Sequence, residues 1–316
     1  MGTNGMTGRD ICYDPTQVGG IVFDIQRYCL NDGPGLRTVV FLKGCALSCQ
    51  WCANPEARSD TTQIAFFERE CFLCGDCVQA CPEKAIYDHD SKLEWGIDRC
   101  TQCGLCVDLC VSGAFRYLGE IKTAGEVMKQ VLRDIVFYGD DGGLTLSGGE
   151  PTMQPNFSAA LLQIAKQAGI HTAIETCGDS PWENFTPLLS NLDLVLYDLK
   201  HIDPEIHERA TGADNTLVLD NARRLAEAGI EMIVRVPLIP HFNADEKSLK
   251  AITAFTLSLK TVREIHLLPY HTLGKAKYKA LGQEYPMEDI PPMEIEEAER
   301  LADFIRPSGL SVSVGG

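Results

Sequence analysis

The chain has 316 residues, 45% of them apolar and 23% charged, which is enough to bury one large core beside a smaller unit. Its formal net charge of −16 repels phosphate backbones and argues against a nucleic-acid partner. No apolar run approaches the roughly 20 residues needed to cross a bilayer, so we expect no membrane association.

The chain contains fourteen cysteines, a number that would predict a disulfide framework in a small secreted protein. Eleven of them instead fall into three groups with metal-ligand spacing, and the polar residues 1–7 lack the pattern of a secretory leader. We therefore expect a reducing compartment, the cytoplasm, and an anaerobic metabolism. The remaining Cys12, Cys29 and Cys177 are predicted to be buried small apolar residues.

The first part of the chain leads to one cysteine group. Residues 1–19 are predicted to be a flexible lead-in. A strand is predicted over residues 20–28, and a rigid turn with two glycines and a proline follows over residues 31–37. The apolar residues 38–42 form the next predicted strand. The loop after it carries three cysteines: Cys45, Cys49 and Cys52.

Thiolates at spacings of four and three chelate a soft metal or an iron–sulfur cluster. A [4Fe–4S] cubane has one more iron than this loop has cysteines. One iron would therefore lack a protein ligand and could bind a small molecule directly. The alternative is a zinc site or a structural cluster whose fourth ligand lies elsewhere in the chain.

Two further cysteine runs have the spacing of bacterial ferredoxins, in which the fourth cysteine of each run ligates the other cluster. This pattern assigns one [4Fe–4S] cluster to Cys71, Cys74, Cys77 and Cys110, and a second to Cys81, Cys100, Cys103 and Cys106. Residues 66–115 are too few to fold by apolar burial alone, so the two clusters should form the core of a ferredoxin-like insert. Zinc is the alternative metal.

From residue 116 onward, predicted helices and strands alternate, which indicates a parallel sheet with right-handed crossovers. Helices are expected behind a capping box at Thr123 and Glu126, from residue 156, through residues 221–228 and over residues 294–305. The strands are expected at residues 142–147, 171–175, 192–198, 231–237 and 264–269, with a short last candidate at 311–314.

With the strand before the cysteine loop, the count is six. We therefore predict an α/β fold, a partial and open (β/α)6 barrel over residues 20–65 and 116–316, interrupted by the insert. A closed eight-stranded barrel is the alternative.

Two glycines and several polar residues lie at the carboxyl ends of these strands, where parallel α/β barrels place their reactive groups. They are Gly148, Gly149, Glu150, Glu175, Thr176, Asp198, Lys200, Arg235 and His271. Glycines let a backbone approach a ligand closely, and the Glu150 carboxylate can accept hydrogen bonds from an ammonium group. Each residue alone has an ordinary structural explanation, but their shared rim beside the cysteine loop predicts a ligand site.

Taken together, these motifs resemble the glycyl-radical enzyme activating enzymes of the radical S-adenosylmethionine (SAM) superfamily. The matching segments are residues 32–37, 45–52, 147–151, 198–200, 235–237 and 268–271. The insert resembles that of the longer family members, which serve partners other than the pyruvate lyase type. The resemblance implies a partial barrel of radical SAM type with an inserted domain that binds two clusters.

The resemblance also implies residue roles. Cys45, Cys49 and Cys52 would hold the catalytic cluster, whose free iron binds the methionine part of SAM. Further SAM contacts would come from Trp51, Gly148, Gly149, Glu150, Asp198, Lys200, Arg235 and His271. Gly148, Gly149 and Glu150 would face the methionine amine. In shorter relatives, an aspartate and a threonine bind a monovalent cation. Here the longer Glu175 beside Thr176 leaves that cation in doubt.

The implied reaction is reductive cleavage of SAM to a 5′-deoxyadenosyl radical, which abstracts hydrogen from a glycine α-carbon of a partner enzyme. The implied partners are a choline lyase, a diol dehydratase, an isethionate lyase or a decarboxylase, with flavodoxin or ferredoxin as electron donor. The insert clusters would relay electrons; a structural or docking role is the alternative. The rival functions are radical SAM chemistry on a small molecule or peptide, and a non-catalytic electron carrier.

Overall fold

The computed structural model describes residues 13–90 and 92–315, and its largest element is a nine-stranded sheet. The strands are β1 (Gly19–Cys29), β2 (Arg37–Leu42), β3 (Gln63–Phe66), β4 (Ile86–His89), β5 (Lys92–Trp95), β6 (Phe115–Leu118), β7 (Glu120–Thr123), β8 (Gly143–Gly148), β9 (His171–Thr176), β10 (Leu194–Asp198), β11 (Glu231–Leu238), β12 (Glu264–Pro269) and β13 (Ser311–Val314). Their order in the main sheet is β13-β12-β11-β10-β9-β8-β2-β1-β7.

Seven strands of the main sheet pair in parallel with their neighbours: β2, β8, β9, β10, β11, β12 and β13. The prediction of an α/β fold with a parallel sheet is therefore confirmed. The six expected strands are present and lie side by side in the order in which they follow one another along the chain, and β13 adds a seventh. Within the described residues β7 and β13 each have a single neighbour, so the sheet is open and the closed eight-stranded alternative is wrong. Strands β1 and β7 extend the sheet in antiparallel fashion.

The helices are α1 (Asp76–Ala80), α2 (Leu105–Asp108), α3 (Ala124–Val131), α4 (Ile135–Tyr138), α5 (Pro155–Gln167), α6 (Trp182–Phe185), α7 (Pro204–Thr211), α8 (Thr216–Glu227), α9 (Glu246–Ser258), α10 (Lys275–Ala280) and α11 (Ile295–Ala302). The predicted capping box is present, since the side chains of Thr123 and Glu126 each accept a hydrogen bond from the backbone N–H of the other residue. Each described helix is too short or too polar to span a membrane.

The central strands β8 and β10 are buried at nearly every residue, so their side chains are covered on both faces of the sheet. The turn that precedes β2 is fixed by the fully buried Arg37. Its guanidinium donates to Thr145 Oγ1 at 2.6 Å, to the Leu144 carbonyl at 2.8 Å and to the Pro34 carbonyl at 3.0 Å. These bonds satisfy the buried cation and hold the turn against β8.

The cysteine-rich segment forms a small unit beside the main sheet. Strands β3 and β6 pair antiparallel at the points where the chain leaves and rejoins the main sheet, and β4 and β5 form a hairpin. The apolar core of this unit includes Cys77 and Cys106 together with Ile64, Phe66 and Phe115. Cysteine side chains therefore supply part of the interior, as expected for a segment of this size.

The predicted lead-in lies only partly within the described residues. Residues 1–12, which include Cys12, lie outside them. Pro15–Gln17 forms a 3-10 turn, and Asp14 caps it by accepting a hydrogen bond from the Thr16 N–H at 2.9 Å. Val18 packs against the main core. The domain boundaries at residues 65 and 116 stay predictions.

Candidate active site

The three-cysteine loop faces a cavity at the carboxyl ends of the parallel strands. The cavity holds about 1000 Å³ of empty space, part of it open to solvent. Its walls include Cys45, Cys49, Trp51, Cys52, Gly148, Gly149, Glu175, Thr176, Asp198, Lys200, Arg235 and His271. Of the residues that the sequence predicts to contact SAM, the structure brings together all except Glu150.

The cysteine loop is held by hydrogen bonds to two neighbouring segments. The Gly44 N–H donates to the Ala57 carbonyl at 2.7 Å, and the Ser48 N–H donates to the Thr211 carbonyl at 2.6 Å. The guanidinium of Arg58 donates to the Cys49 carbonyl at 2.6 Å. Burial raises the pKa of the Cys49 thiol to about 12, because the buried thiolate is disfavoured when no cation lies beside it.

A fourth cysteine, Cys177, also lines this cavity. Cys177 is buried, as expected. Its thiol donates a hydrogen bond to Glu150 Oε2 at 3.2 Å, so the residue has a polar contact as well as an apolar packing role. A thiol that donates to a carboxylate retains its proton and is a poor metal ligand. The loop cysteines therefore fit a cluster with one iron that lacks a protein ligand. Cys29, the other unassigned cysteine in the described residues, is only half-buried, which corrects the prediction.

Glu150 does not line the cavity, so its predicted contact with a ligand amine stays a prediction. Glu150 is fully buried, and both of its carboxylate oxygens accept protein hydrogen bonds. Oε1 accepts from the Thr152 N–H at 3.1 Å and its hydroxyl at 2.8 Å. Oε2 accepts from the Thr176 hydroxyl at 2.8 Å and from the Cys177 N–H at 2.9 Å. Glu150 thus ties the end of β8 to the end of β9.

Charged groups on neighbouring strands meet in the cavity. The guanidinium of Arg235 on β11 donates to Glu175 Oε1 on β9, and the Ser147 hydroxyl donates to Glu175 Oε2. Lys200 Nζ donates to Asp198 Oδ2 at 3.1 Å. Strand register places Asp198 opposite Arg235. The sequence offers these residues at separate strand ends, and the parallel sheet brings them to one place.

The outer parts of the cavity are aromatic. Trp51 is buried, and its ring lies 4.8 Å from that of Phe242. His271 lies at the rim with its side chain exposed to solvent, and partial desolvation by the cavity wall lowers the pKa of its ring below the usual value. Sequence reasoning did not select several further lining residues, among them Asn54 and Tyr270. These two are adjacent or nearly adjacent to residues that it did select, and proximity in the chain was the available signal.

The insert contains two smaller cavities, each lined by four cysteines. Cys71, Cys74, Cys77 and Cys110 line one, and Cys81, Cys100, Cys103 and Cys106 line the other. These are the two sets expected from the ferredoxin spacing.

Backbone N–H groups donate to the cysteine sulfurs in both sets. Leu73 donates to Cys71 Sγ, and Gln102 donates to Cys100 Sγ, each at 3.4 Å. Such donors stabilise thiolates, so the residues fit a cluster in each cavity.

Gly149 permits a close approach of β8 to the cysteine loop. A Cβ atom at this position would lie 2.2 Å from the Gly44 carbonyl oxygen, which is backbone and cannot rotate away. We expect Gly149→Ala to destabilise the protein by about 1–3 kcal/mol. The check is the melting temperature beside that of Gly19→Ala, whose added Cβ would meet nothing closer than 4.0 Å. Equal melting temperatures for the two variants would contradict the packing argument.

Comparisons with known proteins agree with this geometry. A sequence model of the radical SAM superfamily matches residues 39–252. The isethionate sulfite-lyase activating enzyme of Desulfovibrio desulfuricans is 42% identical over 288 residues, which cover 89% of this chain and 92% of that protein. The choline trimethylamine-lyase activating enzyme of Oleidesulfovibrio alaskensis is 41% identical over 301 residues, covering 93% of this chain and 97% of that protein.

A solved structure supports the fold alone. The crystal structure of a radical SAM methyltransferase from Sphaerobacter thermophilus is 15% identical and superposes with a TM-score of 0.51. The match covers 88% of this chain and 66% of that one.

Proposed function

Because the chain belongs to the glycyl-radical enzyme activating enzymes of the radical SAM superfamily, we propose that it installs a glycyl radical in a partner enzyme. The observation that carries this proposal is the single cavity that joins the three-cysteine loop to Gly148, Asp198, Lys200 and Arg235. The open sheet would be the partial barrel of the radical SAM type. Cysteine usage supports a reducing cytoplasm as its location.

The protein supplies binding and orientation for this reaction. Cys45, Cys49 and Cys52 hold the catalytic [4Fe–4S] cluster. A [4Fe–4S] cluster held there would supply one electron for the reductive cleavage of SAM into methionine and a 5′-deoxyadenosyl radical, and that radical would become 5′-deoxyadenosine by taking hydrogen from a glycine of the partner. Lys200 and Arg235 offer cations to the methionine carboxylate of SAM. The backbone of Gly148 and Gly149 can approach its amine closely.

Further contacts position the nucleoside part of SAM. Trp51 lies in the buried wall of the cavity, and the backbone around it would meet the adenine. His271 stands at the open rim, where it would lie against the adenosyl group. Asp198 is held at the cavity by Lys200 and would meet the ribose. These assignments carry over from the sequence motifs and agree with where the side chains lie.

Two further [4Fe–4S] clusters in the insert would bring electrons from flavodoxin or ferredoxin to the catalytic cluster. The cavity that contains Cys103 adjoins the catalytic loop through two hydrogen bonds. Gln102 Oε1 accepts a hydrogen bond from the Ile64 N–H at 2.8 Å. Gln63, the residue before Ile64, accepts a hydrogen bond through its side-chain Oε1 from Lys43 Nζ at 3.0 Å. Because Lys43 is two residues from Cys45, these contacts support a direct link between insert and catalytic loop.

The two relatives act on different partners, an isethionate sulfite-lyase and a choline trimethylamine-lyase. We propose both lyases as partners of this chain. Dehydratases and decarboxylases of the glycyl-radical type are the other proposed partners. Their recognition depends on surface contacts outside the cavity, for which the chemistry of the site gives no rule.

Electron paramagnetic resonance (EPR) tests the proposed function. The reconstituted enzyme is reduced anaerobically, mixed with SAM and incubated with either lyase. We expect a glycyl doublet with one of them, and none with a partner whose radical glycine is replaced by alanine. SAM cleavage without a doublet on any glycyl-radical partner would instead support a small-molecule or peptide substrate. No SAM cleavage by a reduced, iron-replete enzyme would support the electron carrier.

A further inference from the structure

We infer that Arg235 is a built-in cation of this site and that the site binds SAM without an inorganic monovalent cation. The inference rests on the proposed function, because it concerns the same cavity. It answers a question that the sequence leaves open, namely whether Glu175 and Thr176 bind such an ion.

Arg235 occupies the position between two acids. Its Nη1 atom donates to Glu175 Oε1, and its Nε atom lies 4.0 Å from Asp198 Oδ1. The side chains of Arg235 and Glu175 are only 15% and 17% exposed, so solvent ions have little access to the contact. A guanidinium placed in this way neutralises both carboxylates, as a bound cation would.

The oxygen atoms that an ion would need are already engaged. Glu175 Oε2 accepts from the Ser147 hydroxyl. The Thr176 hydroxyl donates to Glu150 at 2.8 Å and accepts from the Gly178 N–H at 3.0 Å. An ion would have to displace existing hydrogen bonds.

The local charges also balance without an ion. Glu175 and Asp198 are opposed by Arg235 and by Lys200, which donates to Asp198. A third carboxyl, Asp32, is largely ionised at neutral pH although burial and the neighbouring Glu175 raise its pKa to about 6, and the buried Arg37 guanidinium nearby opposes its charge. An inorganic cation would lie beside the guanidinium and be repelled by it.

Arg235 also keeps one donor available. Its Nε is buried, and in the described part of the chain it has no hydrogen-bond partner. A buried donor without an acceptor is unfavourable, so this atom is placed to bind an acceptor on a ligand. A carboxylate satisfies that geometry. Arg235 would thus neutralise the acids and contact SAM at once.

The test measures SAM affinity of the cluster-loaded enzyme in KCl, NaCl and choline chloride at equal ionic strength. We expect dissociation constants that agree within about twofold. Binding that weakens about tenfold or more in choline and recovers with K⁺ or Na⁺ would overturn the inference. SAM binding is read from the cluster spectrum, so activity is not needed.

Two variants extend the test. Glu175→Asp shortens the side chain by one methylene and withdraws the carboxylate from Arg235, so this variant should gain K⁺ dependence of about tenfold. Arg235→Ala should bind SAM weakly and be partly rescued by millimolar guanidinium. The control is Arg224→Ala, whose side chain pairs with Asp220 on the surface and which guanidinium should not affect. A Glu175→Asp enzyme indifferent to K⁺, or an Arg235→Ala enzyme that guanidinium does not improve, would contradict the inference.

The outcomes separate this inference from the proposed function. Cation-independent SAM binding without glycyl-radical formation on any partner would overturn the proposed function alone. Normal radical formation with a K⁺ requirement would overturn the role of Arg235 alone.

Discussion

Replacing Cys49 by alanine should abolish SAM cleavage, with a loss of about 1000-fold or more in rate, because the cluster that supplies the electron is lost. The iron content should fall by about four atoms per chain, one cubane, while the insert keeps its own two clusters. Cys49 is the most deeply buried of the three loop cysteines. The measurements are iron and sulfide analysis and chromatography of 5′-deoxyadenosine after anaerobic reduction.

The matched control is Cys177→Ala, which removes the fourth cysteine of the same cavity. Cys177 donates its thiol proton to Glu150, so we expect this variant to keep its iron and to cleave SAM. Should Cys177→Ala lose one cubane of iron, the loop cluster would have four protein ligands. The open-iron interpretation of the site would then be wrong.

Glu150→Gln should be among the most destabilising conservative changes in this chain. A buried carboxylate that accepts five hydrogen bonds would be replaced by an amide whose NH2 group must face a backbone N–H, either that of Thr152 or that of Cys177. Leaving such donors unsatisfied should cost about 2–4 kcal/mol. The melting temperature of the anaerobic enzyme should fall by roughly 3–6 °C.

Glu126→Gln provides the comparison, because Glu126 also accepts a backbone hydrogen bond but lies exposed in a helix cap. Its loss should cost about 1 kcal/mol or less. If the two variants melt at the same temperature, the buried hydrogen bonds of Glu150 contribute no more to stability than the exposed bond of Glu126, and the prediction is wrong.

Much of the fold could be predicted from the sequence because several parallel strands are apolar runs and because helices α5 and α8 end just before Gly169 and Gly229. The run at β10 is buried on nearly every residue, which explains why its position was clear. Strand β7 was missed because its exposed and half-buried residues resemble a polar approach to helix α3. The short helix α7 was missed as well, since its Asp203 cap and Pro204 start occur just after a polar turn.

The candidate site was predictable in its members but not in its contacts. Glu150 follows two glycines at a strand end, and that pattern does not reveal that its carboxylate turns into the protein. The pairing of Glu175 with Arg235 joins residues 60 positions apart, and only the strand order brings them together. Spacing therefore identifies which residues share the rim, whereas three-dimensional packing decides which of them are free to bind a ligand.

The central claim is that the cluster held by Cys45, Cys49 and Cys52 has an iron that binds SAM. The direct measurement is the EPR spectrum of the reduced enzyme with and without SAM, in the wild type and in Cys177→Ala. One cluster signal should change its g-values when SAM is added to either protein, and that signal should be missing from Cys49→Ala. A reduced, iron-replete enzyme whose spectrum SAM leaves unchanged would contradict the account.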